Sequence, residues 1–562
     1  MSDKKIQNSI KTIKEIDHLI KPFFIDEKIT ENFNKEENSS IKSQLIILIQ
    51  KVTQSEKTLS RKNSKIIESI IEDHNVNTEA LSNIILIDFN SKVKNFYKEK
   101  KQNDFELLNL FNDKKIIFFL HKGIVTNIYT ELFLIQIRRE LLKKYSSNLV
   151  IDPKFNKTAL PIIMALANQC FNNEYIWHIT NEERQNIEKI LARVNYLIKN
   201  DNKIPNSFIG LLCCYQNFSS HQILLNYFKE EKYDDILKEL IQKQFIDINN
   251  EKEIVGKIES LTQIDNEVSL KVMDQYESNP YPRWLNLNKG PSYLNYIEYI
   301  KTILPRQNTF SDKIDAKNVL IAGCGTGKHP LEVSKIDPSL KITAIDISKP
   351  SIAYGIRKSK ELGIKNIKWA HADILKLDSL NKEFDIIESS GVIHHLEKPI
   401  QGFNMLDKKL KKGGLLKLGL YARRFRSIYL DDIRKHKNQN KFTNDIESIR
   451  KLRLFLINNI QDSKYQKIFK IPDIYNASGF RDLVMHVQEH DFSIPDINKM
   501  ISDKYKFLGF FWNSNNAIIA YKTFERIFPN KNKLNILDWD VVEEEVPEIF
   551  SGMYQFWLQK KL

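Results

Sequence analysis

Apolar residues in the first half of the chain recur at the spacing that places them on one face of an α-helix. One such set, separated by polar residues, is Ile66, Ile67, Ile70 and Ile71. A longer set spans residues 127–145, and turn residues collect at 146–153. Gly and Pro are scarce throughout this half. The pattern predicts a mainly α-helical region up to about residue 270, with a division near residue 150.

The pattern changes after residue 271, and from Lys317 short apolar runs alternate with helical segments. Such alternation is typical of βαβ units, which build a parallel, doubly wound sheet. A long excursion over residues 423–492 interrupts it, and the apolar segment 552–562 is predicted to return to the sheet as a seventh strand. The predicted fold class is α/β, a Rossmann-like seven-stranded domain preceded by a large, mainly α-helical region. Ligands of such sheets bind at the carboxyl ends of the strands.

Composition excludes several classes of protein. The 562 residues carry 85 Lys and Arg against 71 Asp and Glu, but these cations are scattered and few aromatic residues lie among them. We therefore expect no nucleic-acid partner despite the net charge of +14. The apolar runs are too short to span a membrane, and the N-terminus lacks the apolar core of a secretory signal. The four cysteines form no paired motif, so we expect a reducing, cytoplasmic location and no membrane insertion.

A glycine-rich turn after the first predicted strand is a candidate cofactor site. Gly323, Cys324, Gly325 and Gly327 lie in the sequence AGCGTG, between a strand and a helix. Such a turn lets backbone N–H groups approach a ligand closely. The dinucleotide fingerprint requires Gly or Ala where this chain has Lys328. The loop instead resembles the GxGxG loop of class I S-adenosylmethionine-dependent methyltransferases.

Two acidic residues at predicted strand ends agree with that resemblance. Asp346 ends the second strand, where its carboxylate can accept both ribose hydroxyls, and Asp373 ends the third, where it can accept from the adenine amino group. Their neighbours Ile347 and Ile374 are included in the predicted site. The alternative is that both acids only form turns and helix caps. The segment after the fourth strand faces the methyl group in this superfamily, which adds Ser389, Ser390 and Gly391.

Residues 274–284, DQYESNPYPRW, bring aromatic and cationic side chains ahead of the sheet. Pro280 and Pro282 restrict the backbone on both sides of Tyr281. The side chains predicted to line the cofactor are Tyr276, Tyr281 and Arg283, with Trp284 shaping the adjacent cavity. The alternative is a rigid linker that carries core aromatic residues.

Histidines occur in two pairs near the predicted active site. His394 and His395 follow the fourth strand, and we expect them to pack and hydrogen-bond rather than act as bases. His486 and His490 have the i, i+4 spacing of a zinc pair, with Glu489 beside them. The HExxH order is absent and no third ligand is evident from the sequence, so we predict no metal.

Three segments around the GCGTG loop carry a family resemblance: residues 274–284, 481–490 (RDLVMHVQEH) and 552–559 (GMYQFWLQ). With the long helical half and the Lys/Ile/Asn-rich composition, they resemble the rickettsial protein lysine methyltransferases that modify outer membrane protein B. The motifs cover mainly residues 271–562 and occur in a wider set of bacterial methyltransferases. The resemblance implies a homodimer with S-adenosylmethionine as cofactor, a dimerisation domain, a middle domain and an open cavity that accepts many lysine contexts.

The resulting domain prediction has five regions. They are a helical region with a candidate role in dimerisation (1–150), a helical middle domain (151–270), an S-adenosylmethionine-binding Rossmann-like domain (271–422), a helical insertion over the active site (423–492) and a region completing the sheet (493–562).

The predicted reaction aligns a neutral lysine amine behind the methyl group of the donor. Deprotonating lysine, with a pKa of about 10.4, costs about 4 kcal/mol near neutral pH, and desolvation beside a sulfonium lowers that cost. The predicted catalytic residues are Tyr281, Trp284, His486, Glu489 and His490. Acidic residues within 538–545 are either a guide for a cationic substrate or the first turn of a helix. A small-molecule, lipid or RNA methyltransferase and a degenerate binding module remain as alternatives.

Overall fold

The computed structural model describes residues 39–71, 78–98, 108–148, 150–219, 221–229, 233–285, 295–305, 316–512 and 516–562, with Leu287 and a few positions before residue 30. The chain divides into two compact units. The first consists of Met1–Asn249, Ile446–Asn458 and Phe469–Phe480, and the second of Asn250–Asp445, Asn459–Ile468 and Arg481–Leu562. The predicted boundaries near residues 150 and 271 do not coincide with this division, and the excursion 423–492 contributes to both units.

The first unit is helical, as its periodicity predicts. Its described helices of eight or more residues before residue 230 are α1 (Ser39–Glu56), α2 (Arg61–Ile70), α3 (Thr78–Lys98), α4 (Lys114–Lys122), α5 (Ile128–Ser147), α6 (Pro153–Asn172), α7 (Asn181–Lys199), α8 (Asn206–Cys213) and α9 (Gln222–Lys229). A two-residue strand pair, Phe24–Ile25 with Lys28–Ile29, precedes them. Asn127 caps α5 by accepting from the N–H groups of Tyr129 and Thr130. Within α5, Leu132 is exposed although the pattern groups it with the core.

Two segments of the excursion, Ile446–Asn458 and Phe469–Phe480, belong to the first unit, where arginine side chains hydrogen-bond them to neighbouring residues. Arg453 donates to both carboxylate oxygens of Glu131, at 2.5 and 2.6 Å, and both side chains are buried. Arg453 also donates to the carbonyl of Ile474, and Arg450 donates twice to the carbonyl of Tyr175. Removing one partner of a buried ion pair costs about 3–5 kcal/mol. Local periodicity cannot reveal contacts between residues so distant in the sequence.

Seven strands form the sheet of the second unit. They are β1 (Asn318–Ala322), β2 (Lys341–Asp346), β3 (Ile367–His371), β4 (Phe384–Ser390), β5 (Leu410–Tyr421), β6 (Tyr505–Phe510) and β7 (Met553–Lys560). Their order is β3-β2-β1-β4-β5-β7-β6. The first five strands are parallel, and β7 is antiparallel to both β5 and β6. The seventh strand is confirmed, but the sheet is mixed rather than wholly parallel.

The rest of the described chain contains further helices of eight or more residues. They are α10 (Asp247–Val255), α11 (Glu267–Ser278), α12 (Tyr296–Ile303), α13 (Lys328–Ile336), α14 (Lys349–Glu361), α15 (Pro399–Lys409), α16 (Arg423–Gln439), the helix Ile446–Asn458 of the first unit, α17 (Ile494–Ile501), α18 (Asn516–Ile527) and α19 (Asp538–Glu545). Ile300 of α12, Ile321 of β1 and Trp557 of β7 belong to one buried core. The strand order reverses between β1 and β4, where a doubly wound sheet opens a ligand crevice.

All four cysteines are buried and free. None of the helices in the described part of the chain has the length and apolar character that crossing a bilayer requires.

Candidate functional site

The glycine loop turns sharply between β1 and α13. Gly323, Gly325 and Gly327 have φ values of +79°, +51° and +85°, a left-handed conformation that glycine adopts without strain. The N–H groups of Gly323 and Cys324 donate to the carbonyl of Ile345 in β2, at 2.8 and 2.9 Å. These bonds hold the loop at the carboxyl end of the sheet, beside the point where the strand order reverses.

Asp346, the last residue of β2, closes this loop. Its Oδ2 accepts from the N–H of Gly325 at 2.7 Å, and its Oδ1 accepts from the N–H of Ser348 at 2.9 Å. Burial raises the pKa of Asp346, and these backbone hydrogen bonds oppose that rise. The residue is only partly exposed. Each carboxylate oxygen keeps lone-pair capacity, so Asp346 can still accept hydrogen bonds from a ribose diol.

Asp373 and Ser389 each carry a side-chain oxygen that has no hydrogen-bond partner among the described residues. Oδ1 of Asp373 accepts from the N–H of Leu375 at 2.8 Å, whereas Oδ2 is buried without a hydrogen-bond partner among the described residues. The Ser389 hydroxyl, at the end of β4, is also buried without one in the described chain. An unpaired buried polar atom costs about 1–3 kcal/mol, and a ligand that supplies it with a hydrogen bond removes that cost. Both fit S-adenosylmethionine, whose adenine carries an amino donor, and Ile374 is buried next to Asp373.

The other residues predicted at strand ends, Ser390, Gly391 and Ile347, lie at the same end of the sheet. The Ser390 hydroxyl lies 3.6 Å from the sulfur of Met553 in β7. Gly391, with φ +77°, donates from its N–H to the carbonyl of Gly419 in β5. Ile347 follows Asp346 directly and accepts through its carbonyl from the ring of His371, at 3.1 Å.

The segment YPRW lies directly on the glycine loop. A Cβ added to Gly325 would lie 2.6 Å from the carbonyl oxygen of Tyr281, so only glycine allows this approach. The Thr326 hydroxyl donates to the carbonyl of Pro282, and the Trp284 indole N–H donates to the carbonyl of Thr326 at 3.1 Å. The segment is therefore fixed to the loop by hydrogen bonds on both sides.

Trp284 anchors this segment in the core. Its indole packs with Leu331 and Tyr354 in a small apolar cluster, and its carbonyl accepts from the Tyr354 hydroxyl. Only 6% of Trp284 is exposed. This placement corrects the expectation that Trp284 shapes a substrate cavity, because the ring faces helices α13 and α14. Arg283, next to it, is partly exposed.

Two tyrosines converge on Asp482, a residue that the sequence analysis did not single out. The Tyr276 hydroxyl donates to Oδ1 of Asp482 at 2.7 Å, and the Tyr421 hydroxyl donates to Oδ2 at 2.8 Å. Burial and the Asp482 charge raise the pKa values of Tyr276 and Tyr421, so both stay protonated at neutral pH. In the sequence, the signal for Asp482 is its position within the segment RDLVMHVQEH, residues 481–490. The Tyr281 ring stacks at 6.5 Å from Tyr276.

Histidine rings fill the space beside this carboxylate. His486 stacks on His395 with ring centroids 3.6 Å apart, and His394 stacks on Tyr421 at 3.7 Å. Burial lowers the pKa values of His394, His395 and His486, which keeps the three rings neutral. His394 and His395 both pack as expected, and His395 also bonds the Gln488 carbonyl, whereas neither ring nitrogen of His394 has a hydrogen-bond partner among the described residues. His395 and His486 face the Tyr276–Asp482 hydrogen bond.

Glu489 and His490 are not placed for the roles predicted for them. Arg426 and Arg434 both bind the Glu489 carboxylate, so its two oxygens are occupied by contacts to α16. The π-helical turn containing Asp482 ends at Met485, so the i, i+4 spacing of His486 and His490 does not put them on one helix face. Nε2 of His490 instead lies 3.1 Å from the carbonyl of Glu397.

The acidic segment before β7 is neutralised by the protein itself. Asp540 and Glu543 of α19 pair with Arg424, at 2.8 and 3.1 Å. Asp538 pairs with Lys531 at 3.1 Å, and Glu545 pairs with Arg526. The acidic segment therefore forms a helix with acids in its first turn, the second of the two interpretations. Because these acids are paired with basic residues, they leave little negative charge to attract a cationic substrate.

Part of the second unit matches a known family of domains. Residues 313–471 match a family model described as "Methyltransferase domain". The seven-stranded sheet with one antiparallel strand resembles that of the class I S-adenosylmethionine-dependent methyltransferases, for which S-adenosylmethionine is the predicted cofactor.

Relatives with known sequences match parts of the chain. An uncharacterized protein of Synechococcus sp. is 30% identical over 156 residues, 28% of this chain and 37% of that protein. An uncharacterized protein of Rickettsia prowazekii is 22% identical over 169 residues, 30% of this chain and 29% of that protein. The chain thus spans only about a third of the length of these relatives. A malonyl-[acyl-carrier protein] O-methyltransferase of Paenibacillus sp. is 29% identical over 21% of this chain and 43% of its own.

Solved structures show more distant likenesses. PKMT2 from Rickettsia typhi, in complex with AdoHcy, has a TM-score of 0.38 and 18% identity, over 50% of this chain and 55% of that one. The N-methyltransferase NodS from Bradyrhizobium japonicum has a TM-score of 0.17 and 28% identity, over 19% of this chain and 54% of its own. Likenesses at these scores do not decide the substrate.

Proposed function

We propose that this protein is an S-adenosylmethionine-dependent methyltransferase that transfers methyl groups to lysine side chains of a protein, with outer membrane protein B as the substrate. The observation that carries the methyl-transfer part is the cradle at the carboxyl ends of β1 to β3. There the Asp346 carboxylate closes the glycine loop, and the buried Oδ2 of Asp373 lacks a donor among the described residues. The cytoplasmic location, expected from the cysteines and the N-terminus, belongs to the same proposal. So does the homodimer, which the family resemblance implies.

In this proposal the chain binds the cofactor through its strand ends. Asp346 receives the ribose hydroxyls, Asp373 receives the adenine amino group, and Ser389 supplies a hydroxyl at the end of β4. The bound cofactor supplies an electrophilic methyl group on a sulfonium. The segment YPRW covers the glycine loop and excludes water from this side, because the Tyr281 carbonyl lies against Gly325.

The lining beyond the strand ends suits an amine as the methyl acceptor. Asp482 offers negative charge, while Tyr276, Tyr421 and the neutral rings of His395 and His486 surround it. A carboxylate attracts a lysine ammonium, and the desolvated aromatic surroundings favour the neutral amine that reacts. The resemblance of three segments to the rickettsial lysine methyltransferases supports a lysine within a protein as the source of that amine.

A small-molecule, lipid or RNA acceptor is the alternative. It is favoured by the breadth of acceptors named among relatives of the same domain. They include a malonyl-[acyl-carrier protein] O-methyltransferase and a probable (S)-tetrahydroprotoberberine N-methyltransferase of Papaver bracteatum, which is 30% identical over 15% of this chain and 23% of its own.

Methyl-labelled S-adenosylmethionine distinguishes these functions. The protein is incubated separately with outer membrane protein B fragments, RNA and lipid vesicles, and an Asp346→Ala variant serves as the cofactor-deficient control. We expect label in the protein fragments, recovered as methyl-lysine after hydrolysis and absent when the fragment's lysines are replaced by arginine. Label in RNA or lipid alone would exclude lysine as the acceptor. Sedimentation velocity tests the homodimer, for which we expect a single species of two chains.

A further inference from the structure

The side chains of His395 and Asp482 face each other without a proton between them. Nε2 of His395 lies 4.0 Å from Oδ1 of Asp482. Nδ1 of His395 lies 2.8 Å from the carbonyl oxygen of Gln488. A carbonyl only accepts, so the neutral ring carries its proton on Nδ1 and presents a lone pair at Nε2. Two hydrogen-bond acceptors therefore point toward one another.

No hydrogen-bond donor among the described residues bridges Nε2 of His395 and Oδ1 of Asp482. Nε2 of His395 is buried without a hydrogen-bond partner in the described part of the chain, and only 4% of the residue is exposed. Oδ1 of Asp482 accepts from the Tyr276 hydroxyl and retains further lone-pair capacity. A positively charged group with several N–H donors can hydrogen-bond to Nε2 of His395 and to Oδ1 of Asp482 at the same time. A primary ammonium has three donors and one charge, which matches this need.

A metal ion fits the same residues less well. Ligand atoms of His395, Asp482 and His486 all lie within 4.8 Å of one another. However, the N–H of Gln488 donates to Nδ1 of His486, which places the proton of that ring on Nε2, where it bonds the Tyr276 oxygen at 3.1 Å. The two rings are also nearly parallel, at 18° and 3.6 Å. A metal ion bound by an imidazole lies in the plane of that ring. Two stacked, nearly parallel rings therefore do not direct their nitrogen atoms at the same ion.

The pair lies where a methyl acceptor has to approach. Tyr421, which holds the other oxygen of Asp482, is the last residue of β5. Val392, three residues before His395, packs against Gly323, since a Cβ there would lie 2.2 Å from a Val392 methyl group. Asp482 and Tyr276 are partly exposed, which leaves a side open for a substrate chain. The pair is thus next to the glycine loop at the carboxyl ends of β4 and β5.

We propose that His395 Nε2 and Asp482 Oδ1 bind the ammonium of the substrate lysine, and that His395 takes one proton from it. This inference rests on the proposed lysine methylation. The proton transfer leaves a neutral amine and an imidazolium beside Asp482. The amine nitrogen then forms its bond to the methyl carbon as the carbon–sulfur bond breaks, with that electron pair staying on sulfur. The product is a methylammonium, and the imidazolium releases its proton to water.

Burial lowers the pKa of His395, and the charged groups around the ring act on that pKa in both directions. Asp482 and Glu489 provide negative charge that stabilises an imidazolium, whereas Arg426 opposes it. His394 and His486 contact the ring but stay neutral because burial lowers their pKa values. Removing the base makes the reaction depend on lysine that has already lost its proton in solution. That fraction rises about tenfold per pH unit below a pKa of about 10.4.

The test uses a His395→Asn variant, whose amide can replace the Nδ1–H donor to Gln488 but has no atom at the Nε2 position. Asp482→Asn is the second variant, and His436→Gln, on an outer turn of α16, is the control. Calorimetry measures S-adenosylmethionine affinity, which we expect to stay within about twofold of wild type for all three variants. Methyl transfer to an outer membrane protein B fragment is measured at about pH 7.5 and pH 9.5.

We expect His395→Asn to be slower by about 100-fold at the lower pH and by about 10-fold or less at the higher pH. Asp482→Asn should raise KM for the fragment about tenfold, because the attraction for the ammonium is lost. A deficit that is equal at both pH values, or full activity of His395→Asn, would overturn the proposal. So would a stoichiometric metal in the purified protein that disappears in Asp482→Asn and is required for activity. A wild-type protein that binds cofactor but never methylates lysine would instead refute the proposed function.

Discussion

The backbone N–H of Gly325 donates a 2.7 Å hydrogen bond to Oδ2 of Asp346, so the cofactor loop and the end of β2 are one rigid element. The same carboxylate is the proposed receptor for the ribose. Asp346 therefore shapes the loop, and in the proposed function it also binds the ribose.

Replacing Asp346 by Ala should weaken S-adenosylmethionine binding by about 10- to 100-fold, because hydrogen bonds to a charged group contribute about 1.5–3 kcal/mol. Asp346→Asn keeps an acceptor for the Gly325 N–H and should lose less. Isothermal titration calorimetry measures both, with thermal unfolding as the check on folding. Unchanged affinity in Asp346→Ala would show that the ribose site lies elsewhere.

A methyl group at Gly325 should displace the YPRW segment. Gly325→Ala brings a Cβ to 2.6 Å from the Tyr281 carbonyl, and we expect cofactor affinity to fall at least about tenfold. Gly363→Ala is a matched control, since its φ of +67° imposes similar backbone strain but its Cβ would have nothing within 4 Å. Equal losses of cofactor binding in the two variants would mean that the close approach is unimportant.

Hydroxyl groups of the two stacked tyrosines should affect catalysis more than cofactor binding. Tyr276→Phe removes the hydroxyl that joins Asp482 to His486, and we expect kcat to fall about tenfold with little change in cofactor affinity. Tyr281→Phe should also lower turnover more than it alters cofactor affinity. Steady-state kinetics and calorimetry separate the two effects. A Tyr281→Phe variant with full rate would remove its proposed catalytic role.

Acid should destabilise the protein through Glu388 in β4. Burial by itself raises the pKa of Glu388, but His329, Lys417 and the Tyr296 hydroxyl lower it from 4.5 to about 2. A depressed carboxyl pKa stabilises the fold above the unfolded value and loses that contribution as the pH falls from about 4.5 to about 2. The shift corresponds to about 3 kcal/mol.

Urea unfolding at a series of acidic pH values measures this loss. Glu388→Gln should be less stable near neutral pH, because Lys417 is left buried without its partner, and should show a flatter pH dependence below about pH 4.5. Glu383→Gln, at an exposed position one residue before β4, is the control and should keep the wild-type profile. If Glu388→Gln lost stability with acid as steeply as wild type, another group would be responsible.

Sequence patterns predicted those features that depend on neighbouring residues. The alternation after Lys317 predicted the strands, and the order of the AGCGTG turn and the two acids predicted that all three lie at the carboxyl ends of β1 to β3. The seventh strand was visible because residues 553–560 carry an apolar pattern of their own. Each of these features depends on residues that are close together in the sequence, so a sequence pattern can predict it.

Features set by tertiary contacts were missed. The i, i+4 spacing of His486 and His490 suggested a shared helix face, but helical structure ends at Met485 and separates them. Asp482 acquires its importance only because Tyr276 and Tyr421, more than sixty residues away in either case, reach it. Trp284 looked like a cavity wall because an aromatic side chain beside prolines fits both a wall and a core anchor. Only the packing against Leu331 and Tyr354 distinguishes these roles.

The position of β7 has a consequence for biosynthesis. Its residues pair with β5 from Leu415 to Tyr421 on one side and with β6 on the other, and β6 has no further strand partner in the described sheet. Both neighbours are translated before β7, so on the ribosome their facing edges stay open until residues 553–560 emerge. Until then the nascent catalytic domain exposes strand edges that chaperones can bind and that promote aggregation.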